Sequence, residues 1–236
     1  MRTRVVEKLF ALHTVPSAVA FSAAGPHVTP ALLGIGAPGH VALTFDDGPD
    51  PEGTPRVVDR LAELGWHATF FVLGDMVTRA PALVHDLVAA GHEVGVHANS
   101  HRSQRRMSPT AIHDDIHRAY ETVCKAGATP TWYRPPHGAL SPVGLLTARR
   151  LGLHAALWTA WGRDWRAEAT PESVRDDVAR GRLDGGTVLL HDSDCASAPG
   201  SWWTTVAALP LLAELFDAQG LEVGALGEHG ITSTER

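Results

Sequence analysis

Lysine and cysteine are scarce in this chain of 236 residues, and a basic run is missing altogether. Only Lys8 and Lys125 are lysines among 20 basic residues, which face 26 acidic ones for a net charge of -6 with the histidines neutral. A mildly acidic chain without a basic stripe is a poor partner for nucleic acid or an anionic membrane, and neither is read as its main activity. Two cysteines, Cys124 and Cys195, cannot build a disulfide framework, and without a Cys-x-x-Cys pair they exclude a zinc knuckle. No stretch approaches the ~18 consecutive apolar residues of a membrane helix. Charge is also missing locally, with no Asp, Glu, Lys or Arg from Leu9 to Phe45 and Arg2, Arg4 and Lys8 before that stretch. The pattern has the outline of a secretory leader, with Ala18-Val19-Ala20 as a cleavage site. Against it, His13, Thr14, Pro16 and Ser17 break the apolar run and Glu7 sits in the would-be positive region. We read 1–39 as an N-terminal packing arm and 40–236 as one domain, and favour the cytoplasm over secretion.

What the chain does have is core material and rhythm. Hydrophobic residues make up 44% and charged residues 19%, which excludes intrinsic disorder. Short apolar, β-branched or aromatic runs at 41–46, 68–73, 92–97, 131–134, 154–159 and 187–191 read as strands, with a weaker seventh at 221–226. Between them, Thr54-Pro55, Ser108-Pro109, Ser141-Pro142 and Thr170-Pro171 each pair a capping residue with a proline suited to the first helical turn. Gly65, Gly91, Gly127, Gly152 and Gly181 stand where those helices should stop. Val57, Val58, Leu61 and Leu64 share one face of the first. Strands alternating with helices imply βαβ units and a parallel sheet. Six or seven units in one domain point to an α/β fold built as a closed or nearly closed barrel, in preference to a doubly wound sheet.

Ionisable residues collect at the ends of the strands. Asp46-Asp47 end the first, His97 the third, Arg134 the fourth and His191 the sixth, while the fifth runs into Asp164. Active sites of parallel α/β folds lie at C-terminal strand ends, so these residues read as one site. His97 and His101, at i and i+4, can reach one metal if the chain turns helically after the strand, and one carboxylate would complete a catalytic ligand set. The Asp46-Asp47 pair can supply it, leaving the other aspartate as a general base; a solvated turn is the plain alternative. Arg134, before the stiff Pro135-Pro136-His137-Gly138 loop, can pair with an aspartate at a neighbouring strand end and lower its pKa. His191 is a candidate general acid that Asp164 can orient, and Trp165 with Leu189 can wall a small apolar pocket. Trp158 reads as core filler, and Trp202-Trp203 either stack on a sugar or seat the last helix.

TFDDGP at 44–49, HxxxH at 97–101, RPPHG at 134–138, DW at 164–165 and LLH at 189–191 together resemble the polysaccharide deacetylase family of metal-dependent carbohydrate esterases, the NodB homology domain, in order over roughly residues 40–226. The resemblance implies a distorted (β/α) barrel of about seven parallel strands. It implies Asp47, His97 and His101 as ligands of a divalent metal, zinc first, with cobalt or nickel as substitutes. Asp46 would be the base tuned by Arg134, and His191 the acid oriented by Asp164. The His137 backbone N–H would help hold the oxyanion, and Trp165 and Leu189 would line the acyl pocket. The chain departs from the family pattern at Ala98, His137 and Trp161, which bears on substrate preference more than on reaction type. The implied activity is removal of an acetyl group from an N-acetylated sugar, as a monomeric unit or in an oligosaccharide. Rival readings are an O-acetyl esterase or small-metabolite amide or imide hydrolase with the same site, and a metal-retaining carbohydrate-binding protein. The oligomeric state is left open.

Overall fold

Most helices of the chain end on glycine, and a strand starts a few residues later. At Gly65 the helix Gly53–Leu64 closes in the left-handed region, φ 69°, where a Cβ would be penalised. The computed structural model describes residues 14–231. Arg2, Arg4, Glu7, Lys8 and His13, on which part of the leader reading rests, lie outside them.

Two short helices open the described chain, α1 (Val15–Ala20) and α2 (Gly25–Val28). There follow β1 (His40–Asp46), α3 (Gly53–Leu64), β2 (Thr69–Val72), α4 (Gly74–Arg79), α5 (Pro81–Ala89), β3 (Glu93–Val96) and α6 (Pro109–Lys125). The second half runs β4 (Trp132–Tyr133), α7 (Pro142–Arg150), β5 (His154–Ala155), β6 (Ala160–Trp161), α8 (Pro171–Ala179), β7 (Thr187–His191), α9 (Ser201–Asp217) and β8 (Glu222–Gly224). All strand pairs are parallel, in the order β5-β4-β3-β2-β1-β7-β6, with β8 beside the start of β1. The result is the distorted (β/α) barrel, seven strands on one path plus a short eighth.

One strand assignment needs correcting. The run 154–159 is not a single strand: His154–Ala155 pairs with β4, while Ala160–Trp161 pairs with β7 on the far side of the sheet. The backbone between them finds partners outside a ladder. Arg134 takes the carbonyls of Ala156 and Leu157 at 3.0 and 2.8 Å, and the Leu157 N–H goes to Leu32 O at 2.7 Å. Residues of the segment 14–39 pack here, where Ala20, Leu33 and Leu157 are buried together.

Capping follows the sequence at three of four places. Ser108, Ser141 and Thr170 accept from the N–H groups of Ala111, Gly144 and Ser173, each worth about 1 kcal/mol. Thr54 is not a cap. It is buried and donates to Asp192 Oδ2 at 2.5 Å, while Asp50 Oδ1 takes the N–H groups of Glu52 and Gly53. Along α3, Val57 and Leu61 are buried and Val58 and Leu64 pack beside them. The main core lies between sheet and helices, with Phe45 stacked on Phe70 at 5.0 Å. A smaller one, Ala42, Phe71, Trp132, Ala156 and Leu226, fills the barrel interior.

Candidate active site

Parallel register decides which side chains meet. Thr44 pairs with Leu189 and Leu189 with Trp161, while one step further along, Asp46 pairs with His191. Paired residues share a face and alternate residues return to it, so all five stand on the inward face, in two tiers at the C-terminal end. Asp47 follows in the left-handed region, φ 79°. That turn is what lets adjacent aspartates both face the site, since an extended strand would point them apart.

Four non-glycine residues among those described have positive φ: Asp47, Ala98, His137 and Arg163. Each follows or flanks a different strand end at this site. Such conformations cost about 1–3 kcal/mol each and persist where the surroundings enforce them, typically in functional sites.

The ligand cluster comes together differently from the sequence expectation. Residues 97–103 form no helical turn. Ala98 reverses the chain at φ 83°, and the loop is clamped by Asp115 of α6, which accepts from Asn99 N at 3.2 Å and Ser100 Oγ at 2.9 Å. His97 Nε2 and His101 Nε2 then stand 3.4 and 3.3 Å from Asp47 Oδ1. The ligating atoms of the three residues all lie within 4.8 Å of one another. Asp47 Oδ1 is buried, and no described residue donates a hydrogen bond to it. Burial alone would raise the Asp47 carboxyl, but His97, His191 and His101 outweigh it and hold the group below the ordinary carboxylate range. Burial, helped by the rings of His97 and His137, pushes His101 down to about 4 against the pull of Asp47. At neutral pH this is a carboxylate with a neutral imidazole beside it, and a divalent cation fits that donor set.

Asp46 lies next to the cluster. Its Oδ1 accepts from Arg134 Nη1 at 2.8 Å, and its Oδ2 is 3.8 Å from His97 Nε2. The strands are not neighbours, as the sequence reading had them. β4 and β1 are separated by β3 and β2, and Arg134 spans the barrel interior from one to the other. Its side chain is wholly buried, lies over the Phe71 ring at 4.1 Å and also donates to Thr44 Oγ1 at 2.7 Å. A guanidinium so completely paired is tolerable in a core, and removing one partner of such a pair costs about 3–5 kcal/mol.

His191 is held on the opposite side. Its Nδ1 is 2.9 Å from Asp164 Oδ1, its backbone N–H donates to Asp164 Oδ2 at 2.7 Å, and Thr205 Oγ1 donates to the same oxygen at 2.7 Å. Burial would lower this histidine, but Asp164 overrides it by charge and hydrogen bond, Asp47 and Asp46 add to the effect, and the ring is raised to about 10. Its Nε2 faces the ligand cluster, 4.0 Å from Asp47 Oδ2.

Asp46, Asp47, His97, His101 and His191 border one cavity of about 270 Å³, while Arg134 and Asp164 are fully buried and do not line it. His137 lines it beside His101, with ring centroids 4.3 Å apart. Trp165 and Leu189 line it too. Trp158, read as core filler, is a correction: it is only part-buried and stands on the cavity wall with Trp161. Sequence reasoning also missed Asp115, an unremarked position within a helix, and Asp192, a buried carboxyl against Gly48 that burial raises to about 7. Asp115 carries no local signal and only packing brings it near the site, whereas Asp192 follows His191 directly in the chain and only its burial is hidden from the sequence.

A cation-binding corner, a carboxylate and a charged imidazole around one small cavity suit the hydrolysis of an acyl group. Comparison with known proteins agrees. Residues 35–156 match the family model described as polysaccharide deacetylase. A chitooligosaccharide deacetylase of Bradyrhizobium is 37% identical over 196 residues, covering 79% of this chain and 88% of the relative. A peptidoglycan-N-acetylglucosamine deacetylase of Bacillus cereus is 35% identical over 190 residues, covering 80% and 86%. A solved family 4 acetyl xylan esterase of Clostridium thermocellum, in complex with a cobalt ion, superposes with a TM-score of 0.70 at 33% identity, covering 80% and 89%. The chain belongs to the polysaccharide deacetylase family, enzymes that hydrolyse acetyl groups from N-acetylated sugars. Among the described residues no helix is long and apolar enough to cross a membrane.

Proposed function

We propose that this chain releases acetate from an N-acetylated amino sugar, alone or within a chito- or peptidoglycan-type saccharide, with the following division of labour. Asp47, His97 and His101 hold the divalent ion, and zinc is the ion we assign, since an aspartate and two imidazoles with open positions suit it; cobalt and nickel would substitute. When bound, the ion polarises the acyl carbonyl and lowers the pKa of water beside it. Asp46, anchored through Oδ1 by Arg134, uses Oδ2 to take the proton of the attacking water. The backbone N–H of His137 donates to the oxyanion, and Trp165 and Leu189 receive the acyl methyl. His191, kept protonated and oriented by Asp164, passes its Nε2 proton to the departing nitrogen, a very poor leaving group without it. The carbon–nitrogen bond breaks, leaving acetate and a free amine.

One observation carries this reading: Asp46 Oδ2 and His191 Nε2 both face the Asp47–His97–His101 cluster, at 3.8 Å from His97 Nε2 and 4.0 Å from Asp47 Oδ2. A base and an acid therefore approach the same point from two sides. The test is acetate release from N-acetylglucosamine oligomers, with acetylated xylan run in parallel, before and after chelation. Amide turnover lost with chelator and restored by zinc is the expected result. Turnover of the xylan alone would assign an esterase, and no turnover of either would overturn the reading.

The division at residue 39 stays part of this proposal, with 40–236 as the catalytic domain and 1–39 as the arm. For location we keep to the cytoplasm, because Ser17 and Ala20 are buried and Ser17 Oγ accepts from Leu140 N at 3.2 Å. Recovery of a secreted form cut after Ala20 would overturn that assignment.

A further inference from the structure

The mechanism uses only one end of an aromatic wall. From His191 the rings run outward through Trp165, Trp161 and Trp158 to Phe21 of the arm, with successive centroids 5.4, 5.2, 6.0 and 5.2 Å apart. Trp161 owes its place to the β6–β7 register, which sets it beside Leu189 on the inward face. Gly162, the next residue, points the other way, where a Cβ would strike Leu190 and Val174. Arg163 lies over the indole, its guanidinium 4.8 Å from the ring centroid, close enough for a cation–π attraction. Phe21 is 48% exposed, whereas Phe45, Phe70, Phe71 and Phe216 are essentially fully buried. An apolar ring left half in water against Trp158, which lines the cavity, is uncovered area that a ligand can bury.

We propose that Trp161, continued by Trp158 and Phe21, is the platform on which the sugar unit adjoining the acetylated one stacks, so that the substrate is an oligosaccharide of two or more units. This rests on the deacetylase reading of the site. The cavity of about 270 Å³ falls at the small end of ligand pockets, roughly 300–1,000 Å³, so it encloses little more than the reacting unit and leaves the next on the rim. A pyranose has an apolar face of C–H groups and a rim of hydroxyls. An indole covers the face and leaves the rim in water.

The test is the chain-length dependence of KM and kcat for N-acetylglucosamine and its dimer to tetramer, in the wild type and in Trp161→Ala, Trp161→Phe and Phe21→Ala. The same sugars are also titrated calorimetrically. In the wild type KM should fall from monomer to dimer. Trp161→Ala should raise the KM of dimer and longer about tenfold, equivalent to about 1.4 kcal/mol, with a much smaller effect on the monomer and on kcat. Trp161→Phe should recover most of the affinity, and Phe21→Ala should act only from the trimer upward, by roughly threefold, about 0.65 kcal/mol. Equal KM values for wild type and Trp161→Ala along the series would overturn the proposal. Should the wild type release acetate from none of the sugars, the deacetylase reading is what fails. Calorimetry then still decides the platform: affinity lost in Trp161→Ala upholds it, and unchanged affinity overturns it. If Trp161→Ala does not fold, the Phe variant and Phe21→Ala carry the same comparison, and chain-length curves identical to the wild type in both would overturn the proposal.

Discussion

His101 and His191 border the same cavity, both desolvated and both near Asp47, yet their protons go opposite ways. His101 is pushed down to about 4 and His191 up to about 10. Burial disfavours the charged form of each. The difference is one carboxylate: Asp164, wholly buried and 2.9 Å from His191 Nδ1, answers to that histidine, whereas Asp47 is shared among three rings. A site that needs a neutral ligand and a charged acid a few ångströms apart makes both from one residue type by assigning the partner unequally.

The largest effect should come from the base that stands between the two. Asp46→Asn is expected to cut kcat by roughly two to four orders of magnitude, the span of general-base loss, while the metal content found by elemental analysis stays at about one ion per chain. Asp47→Asn should do the reverse, lowering the metal content and regaining part of its activity in excess zinc. Metal lost from the first variant and kept with full activity in the second would exchange the two roles.

Asp164→Asn strikes the comparison directly. It removes the charge that raises His191, so the ring's titration, followed by NMR in the metal-free protein, should move from about 10 toward the ordinary value near 6.5. The alkaline limb of activity should move the same way, because the acid must hold its proton. A cation in the ligand cluster acts with the same sign as Asp164 removal, so loading zinc should also lower the His191 value. An unmoved titration in the variant would break the argument.

Stability should show the same opposition more gently. A histidine raised by folding contributes stability that is complete below the unfolded value near 6.5 and lost as pH rises toward about 10. A histidine lowered by folding costs stability as pH falls from about 6.5 toward 4. Melting temperature of the metal-free protein should therefore peak near neutral pH, and Asp164→Asn should flatten the alkaline side. The smallest change is Thr205→Val, which deletes one donor to Asp164 Oδ2 and should cost about 1 kcal/mol in a denaturant titration. A Thr205→Val variant as stable as the wild type would show that His191 holds Asp164 unaided.

The legibility of this molecule follows chemistry that is local. Ser108, Ser141 and Thr170 cap as read because a cap reaches only three residues along the chain. Thr54 looked the same and was misread, since its partner Asp192 lies 138 residues away. The 154–159 run had the composition of one strand, and only the opening of the barrel divides it. His97 and His101 do come together, but through a different backbone from the helical turn expected, with a positive φ at Ala98 in its place.

Strand ends rich in Asp, His and Arg were determined by the sequence itself, since an alternating βα chain puts successive strands parallel and their C-terminal ends together. The order of those strands was not. Consecutive β3 and β4 are neighbours, but β1 sits between β2 and β7, and that placement sets Asp46 beside His191 and sends Arg134 across the interior. Tertiary structure also decided the protonation of the histidines, which depends on burial and on carboxylates tens of residues distant. Trp161 became a wall because β6 pairs with β7 rather than β5, a choice made by the opening of the sheet and invisible in any local run of residues.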